Sequence, residues 1–440
     1  MNTDILIIGG GPTGIEAALT ASTYSNSVTL VTNGRVGEWK AGFTNICLNN
    51  VEKIRNNSSF SIELFQDIYN DWMQHQEQLL LEAGIHVITG SASFVNEHFI
   101  KVIDSERNET VIFSNKIIIA NGARPIFPEK IQPNGKSIFS YNTLNHLNKI
   151  PKSILIIGDG SIGFEMVNLF MQLGSNVTWL LPEVKNSLLD EDTSNYMEEF
   201  YTKNGVCIIR GPWIDKLKIC EGIVQAIRQD NEVFESEVVF ISLGFRSNVD
   251  LLEVENANLQ LNKYGSINCN EYGQTAFEHI YIVGDALLPF SNTVVHSKTS
   301  AQIVALHAVG QKNELQDLSG LPIGFNENPQ IAVVGQYNTL RKEVQYTKVP
   351  YEMDNFQAFM TNKREGFLKI VSDHNGLIIG ASCVGHQAKE VISVIALMIK
   401  LQVTINDAAT FAAVHPSAAE LPLYALRKYV NTKKGKVNQK

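Results

Sequence analysis

The chain has 440 residues, 44% of them hydrophobic, with a formal net charge of −9 and a mean hydropathy of −0.04. That length supports roughly two to four domains with cores of their own, and an acidic balance with no basic face excludes nucleic acid as the main partner. No apolar run reaches membrane-spanning length, and no basic or hydrophobic leader precedes the first core residues, which argues against membrane insertion and secretion.

Asp4-Ile5-Leu6-Ile7-Ile8 is an apolar run rich in β-branched residues and predicts a strand buried on both faces. It runs into Gly9-Gly10-Gly11-Pro12-Thr13-Gly14 and then the helical stretch Ile15-Glu16-Ala17-Ala18-Leu19. Read as G-x-G-x-x-G, Gly9 makes the tight turn, Gly11 lets the backbone approach a pyrophosphate and Gly14 packs helix on strand, with Pro12 between them. Free N–H groups and the positive end of the helix dipole then face two phosphates. Ser27–Val31 follows as a second strand at βαβ distance.

Asn33 to Ser59 is rich in Gly, Asn and Ser, reads as irregular, and holds Cys47-Leu48-Asn49-Asn50. Ile62 to Glu82 predicts an amphipathic helix, with Ile62, Phe65, Ile68, Tyr69, Trp72, Leu79 and Leu80 at near-helical spacing and Gly84 as its C-cap. Residues 85–120 read as strands and turns, ending in Ile117-Ile118-Ile119-Ala120 and the turn Asn121-Gly122-Ala123-Arg124-Pro125.

Pro151 marks a boundary, because a second βαβ unit begins at Ser153. Ile154–Ile157 is its strand, Gly158-Asp159-Gly160-Ser161-Ile162-Gly163 its glycine turn, Glu165–Leu173 its helix, Gly174 the cap and Asn176–Leu181 the next strand. Two intact glycine sets point to two bound dinucleotides rather than to a duplicated relic. Strand Glu237–Ser242 runs into Leu243-Gly244-Phe245-Arg246-Ser247-Asn248, an echo of the Ala120–Arg124 turn. Ile280 to Ala286 is a strand ending in Gly284-Asp285, and the helix Val294–Val309 follows. From about Leu321 strands (Ile331–Val334, Phe367–Val371, Leu377–Val384) and then helices lack any glycine-rich turn, which reads as a separate α+β domain. Lys433, Lys434, Lys436 and Lys440 make a basic tail that reads as a solvated, frayed end. The five cysteines, Cys47, Cys207, Cys220, Cys269 and Cys383, show no Cys-x-x-Cys spacing; this suits a reducing cytoplasm, offers no metal site and makes three of them small core residues.

This order of motifs resembles the pyridine nucleotide–disulfide oxidoreductases, the group containing dihydrolipoamide dehydrogenase, glutathione reductase and mercuric reductase, over nearly the whole chain. The resemblance implies an α/β protein with two Rossmann-like dinucleotide-binding domains and a C-terminal α+β dimerisation domain. An FAD-binding domain would comprise 1–148 and 269–320, an NAD(P)-binding domain 149–268 and an interface domain 321–440. FAD is assigned Gly9, Gly11, Pro12, Gly14, the Asn121-Gly122 turn where the family has Ala-Thr-Gly, and Asp285 with Ala286. NADH or NADPH is assigned Gly158, Gly160, Ser161, Ile162, Gly163 and Gly244, with Glu165 beside them.

His415-Pro416-Ser417-Ala418-Ala419-Glu420 looks like the family's His-Pro-Thr-x-x-Glu. Pro416 and Ser417 suit a helix start, which predicts His415 at its mouth and Glu420 one turn in. A carboxylate on one ring nitrogen fixes the tautomer and leaves the other to exchange a proton with a thiol. In the family this pair reaches the partner subunit's flavin, so the resemblance implies a homodimer.

The family's Cys-x-x-x-x-Cys pair has no counterpart, since Cys47 is the only cysteine between the two glycine sets. Local text aligns Cys47-Leu48-Asn49 with the first family cysteine and puts Glu52 at the second. Counting from Gly9 instead places Cys47 near the second, flavin-facing one, and the loop length leans that way. Either way no intramolecular dithiol relay operates there, and Lys53 is a displaced stand-in for the family lysine that pairs with Glu165. Thr32 and Asn33 stand where an acid is expected to hold the adenosine ribose. Leu181-Pro182 stands at the same place in the second unit, where Glu183 favours NADH and Lys185 blurs the preference.

The expectation is an FAD-dependent NAD(P)H oxidoreductase passing hydride to flavin and electrons on to a small-molecule acceptor: a quinone, oxygen, a peroxide or a low-molecular-weight thiol. Cys47 would act as a single thiol of lowered pKa, with the partner's His415 as acid–base group. The alternatives are a degenerate, non-catalytic flavin-binding protein and a dihydrolipoamide dehydrogenase recruiting a distant cysteine. Mercuric reduction lacks its C-terminal cysteine pair.

Overall fold

The computed structural model describes residues 1–38, 40–57, 65–184, 189–288, 293–311, 318–325, 328–338 and 344–437. The N-terminal elements are β1 (Asn2–Ile8), α1 (Pro12–Ser22), β2 (Val28–Thr32), α2 (Lys40–Asn49), α3 (Val51–Asn57), α4 (Gln66–Glu82), β3 (His86–Thr89), β4 (Ser91–Phe94), β5 (Phe99–Ile103) and β6 (Glu109–Ile119). Strands as apolar as β1 must pair on both edges and be covered on both faces. Here Ile7 sits in parallel register with Leu30 of β2 and Ile118 of β6, and Leu6 and Ile7 are fully buried. The strand order β3-β2-β1-β6-β5-β4 reverses direction in sequence between β1 and β6. In open α/β sheets that switch point is where a ligand binds, outside the carboxyl ends of the strands.

Two expectations are corrected here. The stretch after β2 is not irregular: α2 and α3 are helical because Phe43, Cys47, Val51 and Ile54 recur at about one turn and form a buried face. The intervening asparagines mask that period, two of them bonding back to the carbonyl four residues earlier: Asn49 to Asn45 and Asn50 to Ile46, both at 2.8 Å. The amphipathic helix starts at Gln66 and buries Met73, Gln76 and Leu80. Ile68 and Trp72, at 45% and 46% exposed, stand off that face, and Ile62 lies outside the described residues.

The chain then forms β7 (Ala123–Pro125), β8 (Ile138–Ser140), β9 (Ser153–Ile157), α5 (Ser161–Leu173), β10 (Asn176–Pro182), α6 (Glu191–Lys203) and β11 (Cys207–Gly211). After these come β12 (Ile214–Cys220), β13 (Ile223–Arg228), β14 (Val233–Ser236), β15 (Val238–Ile241) and β16 (Phe245–Ser247). A parallel sheet of order β11-β10-β9-β15-β8 is flanked by the antiparallel sheet β12-β13-β14. The two turns that echo each other in sequence are partners in space, because β7 and β16 pair antiparallel. β17 (Ile280–Ile282) then returns to the first sheet beside β6, and α7 (Val294–Ala308) packs on α1.

The remaining elements are β18 (Ile323–Phe325), β19 (Gln330–Gly335), β20 (Gln345–Pro350), α8 (Phe356–Met360), β21 (Phe367–Ser372), β22 (Ile378–Gly385), α9 (Ala388–Lys400), α10 (Ile405–Thr410) and α11 (Glu420–Val437). Their antiparallel sheet β18-β19-β22-β21-β20 has its own core, with Ile370, Ala381, Val391, Ile392 and Leu421 at its centre. Phe325, Ile331, Phe367 and Val384 join instead the core of the second parallel sheet. A buried ion pair reinforces that seam: Lys369 on β21, 1% exposed, reaches Asp190 at 2.5 Å and Asp192 at 3.1 Å ahead of and inside α6. Among the described residues no helix is long and apolar enough to cross a membrane, and no group of three or more His, Cys, Asp or Glu could hold a metal ion. The side chains of Lys433, Lys434, Lys436 and Lys440 lie outside what is described.

Candidate functional site

Both glycine turns have the same construction. A Cβ on Gly9 would lie 2.2 Å from the Ala120 carbonyl oxygen, and one on Gly14 1.8 Å from that of Gly9. In the second turn a Cβ on Gly158 would lie 1.9 Å from the Ser242 carbonyl oxygen, and one on Gly163 2.5 Å from that of Gly158. Gly9 and Gly158 also take φ of +129° and +119°, which side chains disfavour. Gly11 and Gly160 differ: each caps its helix, α1 or α5, and a Cβ there would meet nothing within 4 Å.

Neither cap offers a side chain to the first-turn N–H groups, whereas Asp190, Thr293 and Thr404 cap α6, α7 and α10. Bare N–H groups at a cap with no Cβ suit a phosphate. Ser161 and Ile162 open α5, and Pro12 removes one surplus donor from α1.

Asp285 lies in the 3₁₀ turn Gly284–Leu287, held against α1 because a Cβ on Gly284 would fall 2.7 Å from Thr13. Burial pushes its carboxyl above the ordinary range, and a 3.3 Å bond from Ser297 Oγ only partly offsets this. Ser266 Oγ donates to the Ala286 carbonyl at 2.6 Å. Asn121 Nδ2 donates to the Asn248 carbonyl at 2.9 Å, while its Oδ1 is buried with no hydrogen-bond partner among the described residues. Such an acceptor costs about 1–3 kcal/mol unless a bound group donates to it. Gly122 and Gly244, at φ +70° and +104°, also face open space. These features fit FAD, whose diphosphate α1 could hold and whose hydroxyls Asp285 could take. The ribose position is less open: Thr32 is buried against Gly10, its Oγ1 accepting from Gly34, and Asn33 Oδ1 accepts from Ser91.

Sequence reasoning missed Tyr141, in the turn just after β8. Burial, then the Glu165 and Asp285 carboxylates and Tyr69, hold its phenol well above the ordinary value, so it sits in the field of groups assigned to both nucleotides. Nothing in the local sequence marks it. α3, which carries Lys53, packs on α5, which carries Glu165, and Lys53 Nζ lies 5.2 Å from the centre of the Phe65 ring. Glu183 is exposed just after β10, while Lys185 lies outside the described residues.

Cys47 corrects a further expectation. Its side chain is 1% exposed, enclosed with Phe43, Val51, Ile54 and Phe65, and burial drives its thiol far above the ordinary value rather than below it. A protonated, enclosed thiol is a poor nucleophile. Cys383 is also buried, Cys269 is half-buried, and Cys207 and Cys220 are exposed.

His415 and Glu420 meet as expected, but the helix start does not lie at Pro416. Residues 415–419 are bends and turns, and α11 begins at Glu420 itself. The turn folds His415 Nδ1 back to Glu420 Oε2 at 3.1 Å. Burial pushes the Glu420 carboxyl up, but bonds from Tyr424 at 2.8 Å, Ser417 N–H at 3.2 Å and His415 outweigh it and hold it below the ordinary range. The ionised carboxylate occupies Nδ1, while the His415 side chain is 62% exposed and stacks on Phe356.

Comparison with known proteins matches this arrangement. The family model described as pyridine nucleotide-disulphide oxidoreductase matches residues 3–311, and its dimerisation domain matches 322–425. The dihydrolipoyl dehydrogenase of Bacillus subtilis is 26% identical over 94% of this chain and 96% of its own, and that of Staphylococcus aureus 26% over 98% and 97%. LpdA from Mycobacterium tuberculosis superposes with a TM-score of 0.88 at 23% identity, covering 97% of this chain and 99% of its own. The HOCl-induced flavoprotein disulfide reductase RclA from Escherichia coli, as its Cu(II) complex, gives 0.87 at 21%, with the same coverage. The chain belongs to the pyridine nucleotide-disulphide oxidoreductase family.

Proposed function

We propose that this protein is an FAD-dependent NAD(P)H oxidoreductase that passes electrons from its flavin to a small-molecule acceptor without a cysteine relay. The observation carrying this reading is the matched pair of helix caps at Gly11 and Gly160, glycine on open space with no side-chain cap, whereas among the described residues Asp190, Thr293 and Thr404 cap α6, α7 and α10 with their side chains. FAD and NAD(P)H, when bound, supply the hydride chemistry. The protein would bind and orient: α1 and α5 would hold the two diphosphates, Asp285 would take a polyol hydroxyl, and Asn121 Oδ1 would accept from a donor on the flavin.

The enclosed Cys47 supports delivery to the acceptor directly from the flavin, and makes Cys47 a core residue. The reading as a dihydrolipoamide dehydrogenase gains nothing from the other cysteines, which lie on four different segments. His415 and Glu420 would act as an acid–base pair, with Nδ1 held by the carboxylate and Nε2 without a hydrogen bond among the described residues. Phe356, Phe359, Phe411 and Val414 are exposed around the same segments, an apolar surface that suits a second copy of the chain. NADH is favoured at the adenosine end of the second sheet: Arg210 is held by Glu198 at 2.7 Å and Arg228 by Asp230 and Glu232 at 2.5 Å, while Glu183 is exposed.

The test is the colour of the purified protein and its anaerobic titration with each nucleotide. A yellow protein bleached by NADH at lower concentration than NADPH is the expected result. A yellow protein inert to both nucleotides would instead be a non-catalytic flavin-binding protein.

A further inference from the structure

The chain crosses between the two parallel sheets twice, and both crossings run through one short ribbon. β6 leaves the first sheet through β7 towards β8 of the second; β15 leaves the second through β16 towards the 3₁₀ turn Val249–Leu252, which packs in the first sheet's core. The ribbon has only three residue pairs, Phe245 with Pro125, Arg246 with Arg124 and Ser247 with Ala123. Two strands so short are marginal alone, and two arginines directly opposite each other repel. Each end of the ribbon abuts a glycine turn, Ala120 against Gly9 and Ser242 against Gly158.

Asp250 resolves the repulsion. Arg124 grips it with both arms of its fork, Nη1 to Oδ1 at 2.8 Å and Nη2 to Oδ2 at 2.5 Å, and Arg246 bonds it from the other strand. Arg124 Nη1 also donates to the Ser247 carbonyl and to Asn248 Oδ1, both at 3.1 Å. Reciprocal amide bonds, Asn121 Nδ2 to the Asn248 carbonyl and Asn248 Nδ2 to the Asn121 carbonyl, both 2.9 Å, close the next step. A bidentate pair of this kind fixes direction as well as distance.

We propose that Arg124 and Asp250 are positioning residues, a clip that sets the two nucleotide cradles relative to each other and hence the approach of nicotinamide to flavin. The catalytic half of this proposal rests on the function given above. The mechanical half does not.

Two readouts on Asp250→Asn test it. Nitroxide labels at Cys220 and Ser105→Cys, with Cys207→Ser and Cys269→Ser, report the distance between the sheets by pulsed spin–spin measurement. Stopped-flow mixing with saturating NADH reports flavin reduction. The expected result is a broadened distance distribution and a reduction rate at least about tenfold slower, with NADH affinity and FAD content changed by less than about twofold. Asp250→Glu, which keeps the charge, recovers part of both. If Asp250→Asn does not fold, Arg124→Lys, which keeps the charge but gives up the fork, takes its place with the same expectation. A folded variant with an unbroadened distribution overturns the proposal whatever its rate. If the parent protein is not reduced by either nucleotide, the proposed function falls, while the distance distribution still decides the clip.

Discussion

At the scale of single residues, two buried groups behave oppositely to what their type suggests. Among the described residues Asp285 has one weak side-chain partner, and burial raises its carboxyl, so ionising it costs the folded protein free energy. That cost is absent below the unfolded pKa and complete above the folded one, so at neutral pH it opposes folding. Asp285→Asn is therefore expected to keep or raise the melting temperature of the flavin-free protein while sharply weakening FAD retention, read by calorimetry and by flavin fluorescence after gel filtration. Loss of both together would assign Asp285 to the fold alone. Cys47 should resist alkylation in the folded protein from neutral to mildly alkaline pH. Cys47→Ser should leave flavin reduction unchanged and lower stability by about 1–3 kcal/mol, the cost of burying a hydroxyl. His415→Ala should leave flavin reduction by NADH intact and slow only reoxidation by the acceptor, which single-turnover kinetics separates.

At the scale of elements, the glycine turns split into positions that serve the protein and positions that serve the ligand. Gly14→Ala puts a methyl into the Gly9 carbonyl and should unfold the first unit. Gly11→Ala meets no protein atom, so it should shift stability by less than about 1 kcal/mol while lowering FAD affinity at least tenfold, as isothermal titration would read. Both turns were legible because a strand, three spaced glycines and a helix leave few alternatives. The helices α2 and α3 were not, because Phe43, Cys47, Val51 and Ile54 are spread thinly among polar residues that signal turns. The start of α11 was misplaced because Pro416 and Ser417 are good helix openers, whereas here Ser417 gives its N–H to Glu420 and a turn results.

At the scale of the whole molecule, what the sequence left invisible are contacts between distant positions. Lys369 and Asp190 are 179 residues apart, and nothing near either predicts that the two charges share a dry seam. Removing one partner strands the other, so Lys369→Met should cost about 3–5 kcal/mol, measured by chemical denaturation. If the same change stabilises the protein, the pair is dispensable to the seam. The approach of Asp285 to Tyr141 and the ribbon clip are equally non-local, each joining segments more than a hundred residues apart. The fold class, by contrast, was readable from motif order: the family model matches 3–311 and its dimerisation domain 322–425.

The proposed function requires two dinucleotides to meet across this fold and exchange a hydride. The most direct measurement is anaerobic rapid mixing of the FAD-loaded protein with NADH carrying deuterium on either face of its C4. The account predicts bleaching of the flavin with a primary isotope effect for one face only. A flavin that stays oxidised in excess NADH and NADPH would contradict it.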